Sequence, residues 1–234
     1  MGRAIALRLG SEGATLTLLA RDRSRLEETA AQLAGPVHVA SCDIRDRDAV
    51  DEAFADAAAE LGAVHALVAN AGVGGPNEPG PDDRFDDLVA TNLVGTYNCV
   101  RAAQRVLAPG PVTRHVVVTA SILARIAVPG YTGYSASKAG LLGLVRSLAA
   151  ELAPANVQVN AICPGWVSTE MAWTGIDAIA ATREEGLAEA MREVPLRRMS
   201  EPEEIAGTVA WLLSDDARGV TGQAIDHNNG AFMI

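Results

Sequence analysis

The chain has 234 residues, 49% hydrophobic, 21% charged and 4% aromatic, with a net charge of −10. That length and apolar content suit one globular domain with a large core over 1–234, and the acidity excludes nucleic acid and anionic membrane as partners. Three cysteines (Cys42, Cys99, Cys163) stand at wide spacings without a C-x-x-C, and four histidines (His38, His65, His115, His227) show no metal spacing. A disulfide framework and a metal site are thereby excluded, and buried thiols in a reducing compartment are expected.

At the N-terminus, Arg3 and Arg8 break the apolar residues that a signal peptide would need, and no later run reaches membrane-spanning length. A soluble, cytoplasmic protein is expected. A helical pattern over 3–11 leads to a strand over 15–19, then helix 24–33, strand 37–40, helix 47–61 and strand 66–69. A long helix over 83–107 precedes strand 115–119; helix 134–152 precedes strand 158–162; helix 202–213 precedes strand 223–226. Strands alternating with helices predict right-handed βαβ units, hence an α/β fold with a doubly wound parallel sheet covered on both faces. The near-continuous apolar run around Val116 and Val118 fits a strand buried on both sides. No repeat or low-complexity linker divides the chain.

Two segments need separate comment. Helix 134–152 carries Leu141, Leu144, Val145, Leu148 and Leu152 at helical spacing, and Leu142, Gly143 and Ala149 widen its apolar surface. It is predicted to pack on the sheet and also on another helix, such as one from a second subunit. Segment 165–199 is the least regular, with Trp166, Met171 and Trp173 near its start. In an open parallel sheet, ligands bind beyond the carboxyl ends of the strands. An excursion over 166–199 would cover that crevice as an apolar substrate wall, or form a small satellite core.

The stretch Tyr134-Ser-Ala-Ser-Lys138 puts a phenol and an ammonium one helical turn apart, on one helix face. A nearby cation favours the phenolate, so the tyrosine pKa is expected to fall below its usual value of about 10. A phenol tuned towards neutrality can give a proton to a carbonyl oxygen or take one from an alcohol. Ser121, just past strand 115–119, could hydrogen-bond the same oxygen.

Four further motifs accompany these residues: Asn70-Ala71-Gly72 at a strand end, Asn92 in a helical stretch, Pro164-Gly165-Trp-Val167-Ser-Thr169 after a strand, and Asp43-Ile44. In order and spacing, the whole set resembles the short-chain dehydrogenase/reductase family across almost the entire chain. The resemblance implies a Rossmann-type fold and hydride transfer between a nicotinamide and a carbonyl or alcohol carbon. By that resemblance Tyr134 is the general acid/base, and Lys138 lowers its pKa and binds the nicotinamide ribose. Ser121 polarises the substrate oxygen, and Asn92 holds a water linking Lys138 to solvent. Asn70, Ala71 and Gly72 line the cofactor groove, Asp43 and Ile44 touch the adenine, and Pro164, Gly165, Val167 and Thr169 hold the carboxamide and phosphates.

Cofactor choice has a physical basis. An acid ending the second strand of a dinucleotide fold binds the ribose 2′-hydroxyl, whereas an arginine accepts a 2′-phosphate. Here Ala20 stands in the acid's place with Arg21 next, so NADP is favoured over NAD, against which Asp22 counts.

The family usually opens with a strand and Thr-Gly-x-x-x-Gly-x-Gly, which cradles a pyrophosphate at a helix N-terminus. This sequence begins Met1-Gly2-Arg3, which looks like the last glycine of that motif, so Gly2 is a candidate cofactor contact and the family's central first strand is missing. Either the true start lies upstream or the cradle has been lost. Unpaired ladder groups cost about 1–3 kcal/mol each when buried, so a functional protein is expected to carry a further N-terminal segment. Two functions follow: a ketoreductase on a hydrophobic ketone or acyl-thioester, with Arg125, Arg197 and Arg198 as a possible docking patch for an acyl carrier, or a Rossmann-fold binding or scaffold protein without a competent cofactor site. A homodimer or homotetramer is implied in either case, pairing helices 83–107 and 134–152 across a two-fold axis.

Overall fold

The computed structural model describes residues 1–233. In chain order the elements are α1 (Gly2–Ser11), β1 (Leu16–Ala20), α2 (Arg23–Ala30), β2 (Val37–Ser41), α3 (Arg47–Leu61) and β3 (Ala66–Ala69). Then come α4 (Phe85–Val89), a π-helical stretch Ala90–Gly95, α5 (Thr96–Val106), β4 (Arg114–Thr119), α6 (Thr132–Leu152) and β5 (Val157–Pro164). The chain closes with α7 (Glu170–Asp177), α8 (Arg183–Met191), α9 (Pro202–Leu212) and β6 (Ala224–His227).

Local chemistry sets several of these boundaries. Asp46 starts α3 by accepting the Asp48 and Ala49 amides, and Gly62, at φ 88°, ends it in a conformation that side chains avoid. A capping box of Glu201 and Glu204, with Pro202 in the first turn, starts α9.

Every strand pair is parallel, in two blocks ordered β1-β2 and β3-β4-β5-β6. The facing edges of β1 and β3 are not paired with each other. A cavity of about 1190 Å³ lies between them, lined by Leu16–Ala20 on one side and Ala66–Ala69 on the other. Ile5 and Leu9 of α1, with Ala53 and Ala57 of α3, also line it. The ladder is therefore open where the resemblance places a central strand.

The pleat divides the core in two. Val116 and Val118 of β4 face one way, packing with Val159, Leu141, Val145 and Leu148. Val117 faces the other way, against Ile162, Ile5, Ile205, Val209 and Leu212. Both sheet faces are covered, as the apolar strand runs predict. Among the described residues, no helix is long and apolar enough to cross a membrane.

Two expectations need correction. The stretch 83–107 is not one α-helix but α4, a π turn and α5. Its interruption surrounds Asn92, whose side chain bonds to the Val73 backbone. That tie is made outside the helix, and a π bulge is where helical periodicity gives way to such a demand. Segment 165–199 contains two capped helices rather than an irregular excursion: Thr169 caps α7 and Thr182 caps α8. Strand β5 also runs two residues past the predicted end at 162, so that Pro164 is its last residue; other ends move by one to three residues.

Candidate active site

The site forms at the carboxyl ends of β3, β4 and β5, with α6 laid beside them. Tyr134 lies in the first turn of α6 and Lys138 one turn later. The Lys138 ammonium is 5% exposed, donates to the Thr119 carbonyl at 2.9 Å and lies 5.7 Å from the centre of the Tyr134 ring. Burial pulls its pKa down to about 8. Chain direction after β4 places Ser121 at the head of a tight turn, where its oxygen accepts the Leu123 amide at 3.1 Å.

The tyrosine corrects the spacing argument. Its pKa is raised, not lowered: burial outweighs the hydrogen bond with Ser121, and the neighbouring Tyr131 adds to the rise. Tyr131 meets the ring edge-on at 6.4 Å. The lysine nitrogen, committed to the Thr119 carbonyl, does not reverse this balance. The phenol holds its proton.

Asn92 is fully buried. It accepts the Val73 amide at 2.9 Å, donates to the Val73 carbonyl at 2.9 Å and donates to the Ser137 hydroxyl at 3.1 Å. Its side chain thereby fixes the loop after β3 against α6. Gly72, on that loop, has no room for a side chain, since an added Cβ would come within 3.0 Å of Asn92 Oδ1 and 3.4 Å of Lys138 Nζ.

The remaining candidates lie at or just beyond strand ends and at the head of α1. Gly2, at the head of α1, lies against Asn70, where an added Cβ would be 3.0 Å from Nδ2. Ala71 is exposed. Arg21, just past β1, is exposed and helps hold the Asp43 carboxyl down, to about 2, behind the main effect of Arg45. Asp22 is turned back on α2, accepting the Ser24 hydroxyl and the Arg25 amide. Arg25 reaches from α2 to Glu170 at the head of α7, 3.7 Å away. Gly165 abuts Asn228, with room for no side chain. Val167 is buried, and the Thr169 hydroxyl serves α7 as its cap.

Ile44 is buried with Cys42, Val50 and Cys99, and it also lines the cavity between β1 and β3. Trp166 and Trp173 pack on a satellite core of Ala172, Ile176, Met191, Val194 and Met199. Of that apolar trio only Met171 stays 47% exposed, against Gly74. The three arginines expected as a docking patch each have partners within the fold: Arg125 pairs with the partly buried Asp226, Arg198 with Glu204, and Arg197 donates to the carbonyls of Met191 and Arg192.

Sequence reasoning missed Asn77, which holds the site together through its side-chain amide, and Thr119 and Val73, which do so through backbone groups. Their partners lie far along the chain, so no local pattern marks them. The three cysteines are free and buried, as expected.

A family model described as enoyl-(acyl carrier protein) reductase matches residues 1–231. The chain belongs to the short-chain dehydrogenase/reductase family. It is 30% identical over 242 residues to a 3-oxoacyl-(acyl-carrier-protein) reductase of Staphylococcus aureus, covering 100% of this chain and 94% of the relative. Among solved structures, levodione reductase superimposes with a TM-score of 0.90 at 28% identity, covering 98% of this chain and 92% of that one. An NAD⁺-bound xylitol dehydrogenase gives 0.88 at 27%, covering 96% and 92%. As a member of the short-chain dehydrogenase/reductase family, the protein is an oxidoreductase acting on ketone or secondary alcohol groups with a nicotinamide cofactor.

Proposed function

We propose that this protein is an NADP-dependent ketoreductase of hydrophobic or acyl-thioester ketones, with Tyr134, Ser121 and Lys138 as its catalytic residues. The observation carrying the proposal is the convergence of the three at the end of β4, with the phenol of Tyr134 kept protonated. Support for a dinucleotide comes from the cavity beside α1, which Gly2, Ala20, Asn70 and Ala71 help to line, and from the exposed Arg21 that follows Ala20.

When bound, the nicotinamide supplies the hydride. The chain's own groups handle the oxygen. Tyr134 donates its proton to the carbonyl oxygen as the alcohol forms, while the Ser121 hydroxyl hydrogen-bonds that oxygen and polarises it. The phenolate left behind is stabilised by the buried ammonium of Lys138. Near neutral pH the phenol is therefore in the protonated form that reduction of a carbonyl requires. Met171, exposed beside Gly74, would contribute an apolar contact to the substrate. Phe85 and Val94, 40% and 44% exposed on the α4–α5 stretch, suit pairing with a second copy in a homodimer or homotetramer. A cytoplasmic setting accords with three free thiols.

Asp22 is committed to capping α2, whereas Arg21 is open to a 2′-phosphate. Arg21→Ala is therefore expected to weaken NADPH binding about 10- to 100-fold, as loss of a charge-assisted contact does, and to leave NADH binding unchanged. Fluorescence titration of both nucleotides measures this, with NADPH-dependent reduction of acetoacetyl-coenzyme A as the activity assay. Equal loss for both nucleotides would remove the assignment of Arg21, and no reduction by the wild-type protein would remove the ketoreductase reading.

A further inference from the structure

The helix that carries Tyr134 and Lys138 has no cap of its own. Tyr131 stands at the N-cap position of α6 and makes no side-chain bond there. The bond comes instead from Asn77, in the Gly/Pro-rich loop between β3 and α4. Its Oδ1 accepts the Gly133 amide at 2.8 Å, one residue before Tyr134. That oxygen assignment follows from chemistry, because a backbone N–H can only donate.

Asn77 is 6% exposed and fully used. Its Nδ2 donates to Asp83 Oδ1 at 2.9 Å and to the Thr132 hydroxyl at 3.0 Å, and its own amide donates to the Gly130 carbonyl at 2.8 Å. Asp83 Oδ1 in turn accepts the Phe85 amide at the head of α4. One amide side chain thus ties the starts of two helices together. Gly133 lets them close: a Cβ there would come within 3.0 Å of Phe85 Cα and 3.2 Å of Asn77 Oδ1.

The loop has other duties at either side of Asn77. Gly72 adjoins Lys138 and Asn92, Gly74 adjoins Met171, and Arg84 donates to the Gly74 carbonyl at 3.2 Å. The segment that would touch cofactor and substrate is therefore the one that clamps the first turn of α6. We infer that Asn77 is a positioning residue: through the Gly133 amide it fixes the first turn of α6 so that the Tyr134 phenol stays beside Ser121. The inference rests on the ketoreductase reading for its catalytic consequence, and on geometry alone for the clamp.

The test compares Asn77→Ala with the double variant Asn77→Asp, Asp83→Asn. In the double variant a carboxylate at 77 still accepts the Gly133 amide, and an amide at 83 still accepts from Phe85 while donating back to 77, with charge unchanged. With NADPH and acetoacetyl-coenzyme A, Asn77→Ala is expected to lose about 10- to 100-fold in kcat, the scale of an ångström's misplacement. KM and NADPH affinity should stay within about two-fold, which marks a loss confined to the chemical step. The double variant should recover most of the kcat. Amide hydrogen exchange at Gly133 should quicken in Asn77→Ala, with the middle of α6 still protected.

A folded Asn77→Ala protein with wild-type kcat would overturn the inference, as would a double variant that melts like wild type yet stays slow. If Asn77→Ala fails to fold, the double variant decides alone: restored kcat supports the clamp and lost kcat refutes it. If the wild-type protein reduces no ketone, the function reading fails, and exchange at Gly133 decides the clamp by itself.

Discussion

Tyr134→Phe is expected to lower turnover by about 10²- to 10⁴-fold, the usual contribution of a positioned general acid, while NADPH binds within about two-fold of wild type. The substitution removes one oxygen and keeps the ring, so the edge-on packing with Tyr131 is retained. What goes is the proton that a reduced carbonyl oxygen must receive. Ser121 can still hydrogen-bond the carbonyl, but a serine hydroxyl is far too weak an acid to replace the phenol. Steady-state kinetics and nucleotide fluorescence on the same preparation separate the two effects. Residual turnover within ten-fold of wild type would assign the proton to another group.

The second large effect belongs to Lys138, and it has two signs. Lys138→Met should abolish most turnover, because the phenolate formed after proton transfer loses its cation. The same change should relieve a burden on the fold. In the folded protein the Lys138 pKa is about 8, below the usual 10.5 of the unfolded chain. The unfolded state therefore binds more protons between these values, and stability rises with pH across that window. Below pH 8 the full burden is present, about 3 kcal/mol for a shift of that size. Methionine removes it but leaves the Thr119 carbonyl without its donor, at about 1–3 kcal/mol. The stability of wild type relative to Lys138→Met should thus climb from about pH 8 towards pH 10.5, where the unfolded chain's lysine also loses its proton. Thermal melts from pH 6 to 10 measure the difference. A difference independent of pH would mean that the ammonium is not desolvated.

How much of this was legible in the sequence depended on how local its cause was. Strand 66–69 and helix 47–61 are found where predicted, because a short apolar run and a helical pattern with its cap specify them within a few residues. The two sheet faces were legible too, since Val116, Val117 and Val118 announce a strand buried on both sides. The π stretch at Ala90–Gly95 was not, because the bonds of Asn92 to Val73 arise from a loop nearly twenty positions away. The site divides in the same way. Ser121, Tyr134 and Lys138 could be placed by motif order, and they do converge. The direction of the tyrosine pKa could not, since it depends on burial, which spacing does not reveal. Asn77 left no trace at all: an asparagine among glycines and prolines reads as a turn until its bond to Gly133 is seen. Trp166 and Trp173 are large apolar residues that a crevice and a satellite core explain equally well from sequence; in the fold they pack on the satellite core.

The central claim is that the phenol of Tyr134 faces a nicotinamide across the substrate carbonyl. A crystal structure with NADP and an unreactive ketone analogue tests it most directly. The expected result is an analogue oxygen within about 3 Å of both Tyr134 Oη and Ser121 Oγ, with the dinucleotide running past Gly72 towards Arg21. A dinucleotide bound elsewhere, or an analogue oxygen turned away from Tyr134, would contradict the account.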